Sequence, residues 1–296
     1  MQIDGVFSGG GIKAYAYIGA LQEIHQHNLT FKRVAGTSAG SIIASFLAAG
    51  HTPSEIEKLT NQLDLKAFMD APVITKYIPG TKWFFLYFQM GLYHGRRFEE
   101  WLQNKLADKN VYTFGDLPKD ALKVIISDLS LGRLIVIPDD LERVYGIQPK
   151  YFPVAKAVRM SSGFPYFFMP KKMPGKEKQK SVIVDGGLLS NFPMWVFENK
   201  KSKNSRPILG VKLSESMDNP HPQKIRNALD MLHALFSTMK KAHDTRYISK
   251  HDINNIIFIP VDNISATDFN LSQNEKEKLI DLGRERTKQF LKYWPK

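Results

Sequence analysis

Five residues, Gly36-Thr37-Ser38-Ala39-Gly40, fit the pattern G-x-S-x-G. A serine at a sharp strand-to-helix turn has its hydroxyl thrust out of the sheet edge, where it can attack a carbonyl. Gly36 and Gly40 leave room for that turn and for close packing of the helix behind it. The helix start also offers free N–H groups and a positive end. Ser38 is therefore a candidate nucleophile. Gly9-Gly10-Gly11 lies between a short apolar stretch and a helical one. The N–H groups of such a loop can converge on an anion. In ester hydrolysis that anion is the tetrahedral intermediate. Lys13 either adds positive charge beside the loop or faces solvent. Asp185-Gly186-Gly187 stands at the end of a strand pattern and, taken alone, reads as a tight turn.

The base is not evident from residue types alone. A serine nucleophile ordinarily takes its proton acceptor from histidine. The eight histidines are His25, His27, His51, His94, His221, His233, His243 and His251, and none sits in a motif. His94, inside an aromatic stretch, is the one to watch. H-E-x-x-H spacing is absent, and the chain has no cysteine, which excludes disulfides, thiolate catalysis and Cys-ligated metals. A rival reading starts from Gly9-x-Gly11-x-x-Ala14, which also fits the dinucleotide-binding fingerprint. That fold wants an acidic residue about 20 residues on. Lys32 and Arg33 stand there instead, and Arg33 would suit only a phosphorylated nicotinamide cofactor. No P-loop is present.

These residues need elements to hold them. Ile3–Ser8 reads as a strand, Ile12–His27 as a helix, Phe31–Ala35 as a strand, and the stretch after Ser38 as a helix through Ala49. The repeated strand–turn–helix predicts a three-layer α/β/α fold with a mostly parallel central sheet. Thr52-Pro53-Ser54-Glu55 and Ser272 with Glu275 are helix-start signals. Further strands are expected at Leu122–Asp128, Arg133–Ile137, Ser181–Val184, Pro207–Leu213 and Asn255–Pro260. Helices are expected at Arg97–Lys105, Pro153–Met160, Ile225–Arg246 and Ser272–Leu291. No Ser/Gly/Pro-rich linker divides the chain. One domain over 1–296 is expected, with the motifs within 8–190 and residues 207–296 completing it.

Hydrophobic residues make up 43% and charged residues 24%, which excludes a disordered or collagen-like chain. A formal net charge of +12 admits anionic membranes, nucleic acids and acidic proteins as partners. The lysines at 171–180 and 200–203 carry no interleaved aromatics suited to base stacking, so no nucleic-acid role is expected. No secretory signal and no apolar run of about 18 residues is seen, which points to a cytoplasmic chain without a transmembrane segment. Tyr77 to His94 reads YIPGTKWFFLYFQMGLYH. It is either a buried helix face with an aromatic turn, or a lipid-contacting lid, channel wall or membrane patch. Phe164, Tyr166, Phe167, Phe168 and Met169 form a second cluster. Trp83, Phe84, Phe85, Phe88 and Phe167 are the candidates for lipid contact.

Four blocks together carry a resemblance. Ser8-Gly9-Gly10-Gly11-Ile12-Lys13, Gly36-Thr37-Ser38-Ala39-Gly40, Val158 to Pro165 with Phe168-Met169-Pro170, and Asp185-Gly186-Gly187 resemble the patatin-like phospholipases, in the same order over about the first 190 residues. The resemblance implies a patatin-like fold and a Ser–Asp dyad with no catalytic histidine. Ser38 would be the nucleophile and Asp185 the base. Gly9, Gly10 and Gly11 would form the oxyanion hole, with Lys13, Gly36, Gly40 and Gly186 in support. It implies an acyl-enzyme course with no metal or cofactor. Phospholipids, lysophospholipids or other acyl esters would be the substrates, met through peripheral membrane contact. Two positions depart from the family pattern. Lys13 stands where arginine is common, keeping charge without the rigid fork. Ser8 stands where aspartate is frequent.

Overall fold

The computed structural model describes residues 1–62, 67–72, 81–175, 179–198, 206–214, 225–226, 231, 234–239, 253–261 and 271–294, apart from the side chains at 81–83, 85 and 214. Among the described residues ten strands are assigned: β1 Gln2–Phe7, β2 Thr30–Thr37, β3 Gly91–Tyr93, β4 Leu122–Asp128, β5 Arg133–Ile137, β6 Tyr166–Phe168, β7 Lys171–Pro174, β8 Lys180–Asp185, β9 Ile208–Ser214 and β10 Ile256–Pro260. The helices are α1 Tyr15–Gln26, α2 Ala39–Ala48, α3 Pro53–Asn61, α4 Thr81–Gln89, α5 Arg96–Ala107, α6 Leu141–Tyr145, α7 Val154–Ser161 and α8 Gln273–Leu291.

The central sheet is mixed and mostly parallel. Its parallel part runs β10-β9-β1-β2-β4, and β5, β8 and β7 add antiparallel pairings. Parallel strands with no water on either face need apolar residues throughout. All seven residues of β4 are buried; Leu122, Val124, Ile125 and Ile126 meet that demand, and the buried Lys123 and Asp128 are paired instead, with Asp139 and with Tyr145 Oη. Ile3, Phe7, Val34, Val124 and Ile126 share one core with α1, α2, α7 and α8 side chains. Val6 and Ala35, pointing the other way, pack with Phe192, Met194 and Phe197.

Register explains where the site forms. β5 pairs with β4 along the whole of Val124–Asp128. A strand has two edges, so β2 and β8 must share the other one. β2 pairs as far as Thr37↔Ile125, and β8 takes over at Ile126↔Asp185. Ser38, next after Thr37, and Asp185 therefore arrive at the same point on β4 from opposite directions.

Both helix-start signals are realised as capping boxes, Thr52 with Glu55 and Ser272 with Glu275. The helix expected from Ile12 begins instead as a 3-10 turn over Gly11–Ala14, and α1 starts at Tyr15. Packing of α1 on α8 is close. A Cβ on Gly19 would fall 1.9 Å from Ile280 O, and one on Gly283 would fall 1.9 Å from Ala16 O. Of the helix expected at Ile225–Arg246, Met231 and 234–239 are helical and most other positions lie outside the described residues. Among the described residues no helix is long and apolar enough to cross a membrane.

Candidate active site

Ser38 caps α2 with φ 52° and ψ −126°. Such a conformation in a non-glycine residue costs about 1–3 kcal/mol and persists only where packing imposes it. The neighbouring glycines show what imposes it. A Cβ on Gly40 would lie 2.2 Å from Phe7 O and 2.5 Å from Ser8 O, and one on Gly36 would lie 2.3 Å from Gly40 O. The turn is wedged against β1, and only hydrogen fits at both positions. Ser38 itself is half-buried, which leaves its hydroxyl approachable.

Ser38 Oγ donates to Asp185 Oδ2 at 2.7 Å. The carboxylate thus occupies the place a histidine base would take. Asp185 is 4% exposed and is held from three sides. Its Oδ1 accepts the Gly187 N–H at 2.7 Å, its own N–H donates to Gly163 O at 2.9 Å, and β4 pairs with its backbone. Gly186 is required there, because a Cβ would lie 2.2 Å from Ile125 O. Thr37 Oγ1 donates to Ser190 O at 3.0 Å, tying the serine turn to the chain that follows Asp185.

The glycine loop divides its work. The Gly9 N–H donates to Asn191 O at 3.1 Å, so it is engaged and is not available to an oxyanion. A Cβ on Gly9 would lie 3.1 Å from Ser38 Cβ, which puts this loop against Ser38. Gly10 and Gly11 open the 3-10 turn, where the first N–H groups have no partner within the turn. Lys13 is 8% exposed, so the alternative in which it faces solvent does not hold. Ser8 has its own use: its Oγ accepts the Leu213 N–H at 3.0 Å and lies 3.0 Å from Tyr17 Oη. Burial pushes the Tyr17 phenol well above its ordinary pKa, so it stays protonated and donates to Ser8 O at 2.5 Å.

Two residues of the site carried no assigned role in the sequence. Ser161 Oγ accepts the Ser38 N–H at 2.9 Å and donates to Ile125 O at 2.6 Å. Arg159, wholly buried, donates from Nη2 to His94 O at 2.9 Å and Met169 O at 3.2 Å, and from Nε to Gly95 O at 3.2 Å. Its guanidinium lies 4.3 Å from the Phe168 ring centroid. Burial lowers its pKa to about 10, which still leaves it charged at neutral pH. Both belong to the Val158–Pro165 block, whose resemblance was the one signal available. His94 contributes backbone groups to this network, donating its N–H to Asp70 O and accepting from Arg159.

The lipid-contact candidates separate. Phe84 and Phe88 are exposed on α4, with ring centroids 4.5 Å apart. Phe167 is instead half-buried, 4.9 Å from both Tyr93 and Phe168. The side chains of Trp83 and Phe85 lie outside the described residues. Arg33, which a nicotinamide reading would need, is bound to Asp4 at 2.5 Å and lies over the Phe197 ring.

Residues 5–198 match the family model described as patatin-like phospholipase. The Bacillus subtilis (strain 168) protein YqhO is 47% identical over 99% of this chain and 99% of its own. A protein of Acanthamoeba polyphaga mimivirus is 26% identical over 95% of this chain and 91% of its own. Among solved structures, VipD from Legionella pneumophila superposes with a TM-score of 0.57 at 19% identity, covering 98% of this chain and 66% of that one. Full-length ExoU from the type III secretion system of Pseudomonas aeruginosa, solved with SpcU, gives 0.53 at 16% identity, covering 98% and 53%. The chain thus spans between half and two thirds of those two structures. At these identities they establish a shared fold.

Proposed function

We infer function from one premise: the chain belongs to the patatin-like phospholipase family. We propose that it cleaves carboxylic ester bonds of phospholipids or lysophospholipids through Ser38 and Asp185. The observation that carries this reading is the 2.7 Å hydrogen bond from Ser38 Oγ to Asp185 Oδ2.

The course follows from that contact. As Ser38 Oγ attacks the acyl carbon, its proton passes to Asp185 Oδ2. The carbonyl oxygen becomes an oxyanion facing the N–H groups of Gly10 and Gly11. One such donor is worth about 3–4 kcal/mol in the transition state. Collapse breaks the bond to the leaving oxygen, which takes the proton from Asp185. An acyl-Ser38 ester remains. Water then gives a proton to Asp185 and attacks the acyl carbon, and Ser38 recovers its proton as the fatty acid leaves. Asp185 serves both halves because Gly187 N–H, Gly163 O and β4 fix it in place.

The test identifies the bond cut. Vesicles of phosphatidylcholine are incubated with the protein and the products resolved by mass spectrometry. Free fatty acid with lysophosphatidylcholine is the expected outcome. Release of phosphocholine or choline would place cleavage at a phosphodiester and overturn the proposal.

A further inference from the structure

One residue grips Gly9 at both of its polar groups. The Gly9 N–H donates to the backbone oxygen of Asn191 at 3.1 Å, and Asn191 Nδ2 donates to Gly9 O at 3.4 Å. Asn191 is 4% exposed. Its Oδ1 is buried and has no hydrogen-bond partner among the described residues. A Cβ built on Gly9 would stand 2.4 Å from that oxygen and 3.1 Å from Ser38 Cβ, so the amide lies beside the serine turn. A buried amide with one end unpaired lowers stability. Its sense is set by Gly9: turned over, its oxygen would face Gly9 O, and two acceptors would meet.

What the donor does at Gly9 O follows from peptide geometry. A peptide is planar and trans, so its C=O and N–H point in opposite directions. Drawing Gly9 O towards Asn191 therefore turns the Gly10 N–H away from Asn191. The peptide before it is fixed at both ends, because Tyr17 Oη donates to Ser8 O at 2.5 Å while Asn191 O takes the Gly9 N–H. In the peptide after it, the Lys13 N–H donates to Gly10 O at 3.3 Å, which sets the Gly11 N–H. Three successive peptide planes are thus held by their carbonyls. The middle one is held by a side chain from the segment that carries Asp185. A hydrogen bond at the carbonyl also polarises that peptide and strengthens its N–H as a donor.

The same segment reaches the serine turn twice more. Asp185 Oδ2 accepts from Ser38 Oγ, and Ser190 O accepts from Thr37 Oγ1. We propose that Asn191 is a positioning residue for ester hydrolysis: its side-chain amide aims the Gly10 N–H at the developing oxyanion and couples that donor to the segment carrying the base. This rests on the hydrolase reading above.

The experiment uses the full chain with Asn191→Ala and Asn191→Asp. The alanine variant loses the amide but keeps the backbone oxygen that holds the Gly9 N–H. It also loses the unpaired Oδ1, so its melting temperature is expected to shift by a few degrees at most. On a soluble p-nitrophenyl ester its kcat is expected to fall about 10- to 100-fold with KM nearly unchanged, short of the roughly 100- to 1,000-fold that follows loss of a whole oxyanion donor. Asn191→Asp keeps the shape and puts an oxygen against Gly9 O, and its kcat is expected to fall at least as far. A trifluoromethyl ketone with the same acyl chain reads the oxyanion directly, since its carbonyl carbon bonds to Ser38 Oγ and its oxygen becomes the anion. Its inhibition constant is expected to rise by the factor by which kcat/KM falls. A ketone that binds both variants as it binds the parent, or a kcat within about two-fold of the parent in both, overturns the proposal. Hydrolysis that survives Ser38→Ala overturns the hydrolase reading and this proposal with it. Ser38-dependent hydrolysis that is indifferent to Asn191 overturns this proposal alone.

Discussion

The hydroxyl of Ser161 accepts the backbone N–H of Ser38 at 2.9 Å across 123 residues of sequence. The same hydroxyl donates to Ile125 O, so it pins the peptide of Ser38 to the middle of β4. Ser161→Ala leaves both groups buried without that partner, at a cost of about 1–3 kcal/mol each. A displacement of about 1 Å in a reacting group lowers rate roughly 100-fold. Steady-state kinetics on a soluble ester should show kcat falling by about 10- to 100-fold with KM changed little. A variant with lower melting temperature and unaltered kcat would reduce Ser161 to a packing role.

Gly40 marks where the Ser38 turn touches β1. A Cβ there would lie 2.2 Å from Phe7 O and 2.5 Å from Ser8 O, backbone atoms at the end of the central strand β1 and just after it. Gly40→Ala is expected to destabilise the fold by about 3 kcal/mol or more, the upper end of overpacking costs. Chemical denaturation measures it. A loss under about 1 kcal/mol would mean the turn can move away from β1.

Arg159 is the clasp between α7 and the β3–β6 pair. Arg159→Met strands two carbonyl oxygens, on His94 and Met169, each worth about 1–3 kcal/mol when buried without a donor, while Gly95 O keeps the Glu99 N–H. Relief of the guanidinium's desolvation offsets part of that loss. A net destabilisation of about 3 kcal/mol is expected, with Arg159→Lys intermediate because lysine keeps charge without the fork. Equal stability of Arg159→Met and the parent would contradict the clasp.

Much of the scaffold could be read from residue order. The strands at Leu122–Asp128 and Arg133–Ile137 have the bounds that their apolar runs implied. Ser38 stands at a strand-to-helix turn as G-x-S-x-G required. Local patterns carry such features because neighbours in sequence make them. The contacts that complete the site are not local. Ser161, Gly163 and Asn191 act through hydrogen bonds spanning 22 to 182 residues, and no spacing rule points from one to the other. β3 and β6 have three residues each, too short for a period to show. The engagement of Gly9 by Asn191 depends on how the loop after Asp185 returns to β1.

His51 gives the fold a pH dependence. It is 7% exposed, its Nε2 lies 3.1 Å from Lys105 O, and burial holds its pKa below the ordinary 6.5. The unfolded chain therefore takes up a proton before the folded one does. Its contribution is fully present above pH 6.5 and is lost as pH falls below that value. Melting temperature should decline on that side, and His51→Gln, which retains a donor toward Lys105 O, should flatten the decline. An unchanged slope in His51→Gln would assign the pH dependence to other groups.

Hydrolysis of a soluble short-chain p-nitrophenyl ester by wild type, Ser38→Ala and Asp185→Asn bears most directly on the dyad. The account predicts release of p-nitrophenol by wild type and a fall of about 1,000-fold or more in kcat for each variant, with circular dichroism unchanged. If Asp185→Asn keeps its activity while His94→Ala loses it, the carboxylate is not the base and the Ser38–Asp185 contact is structural.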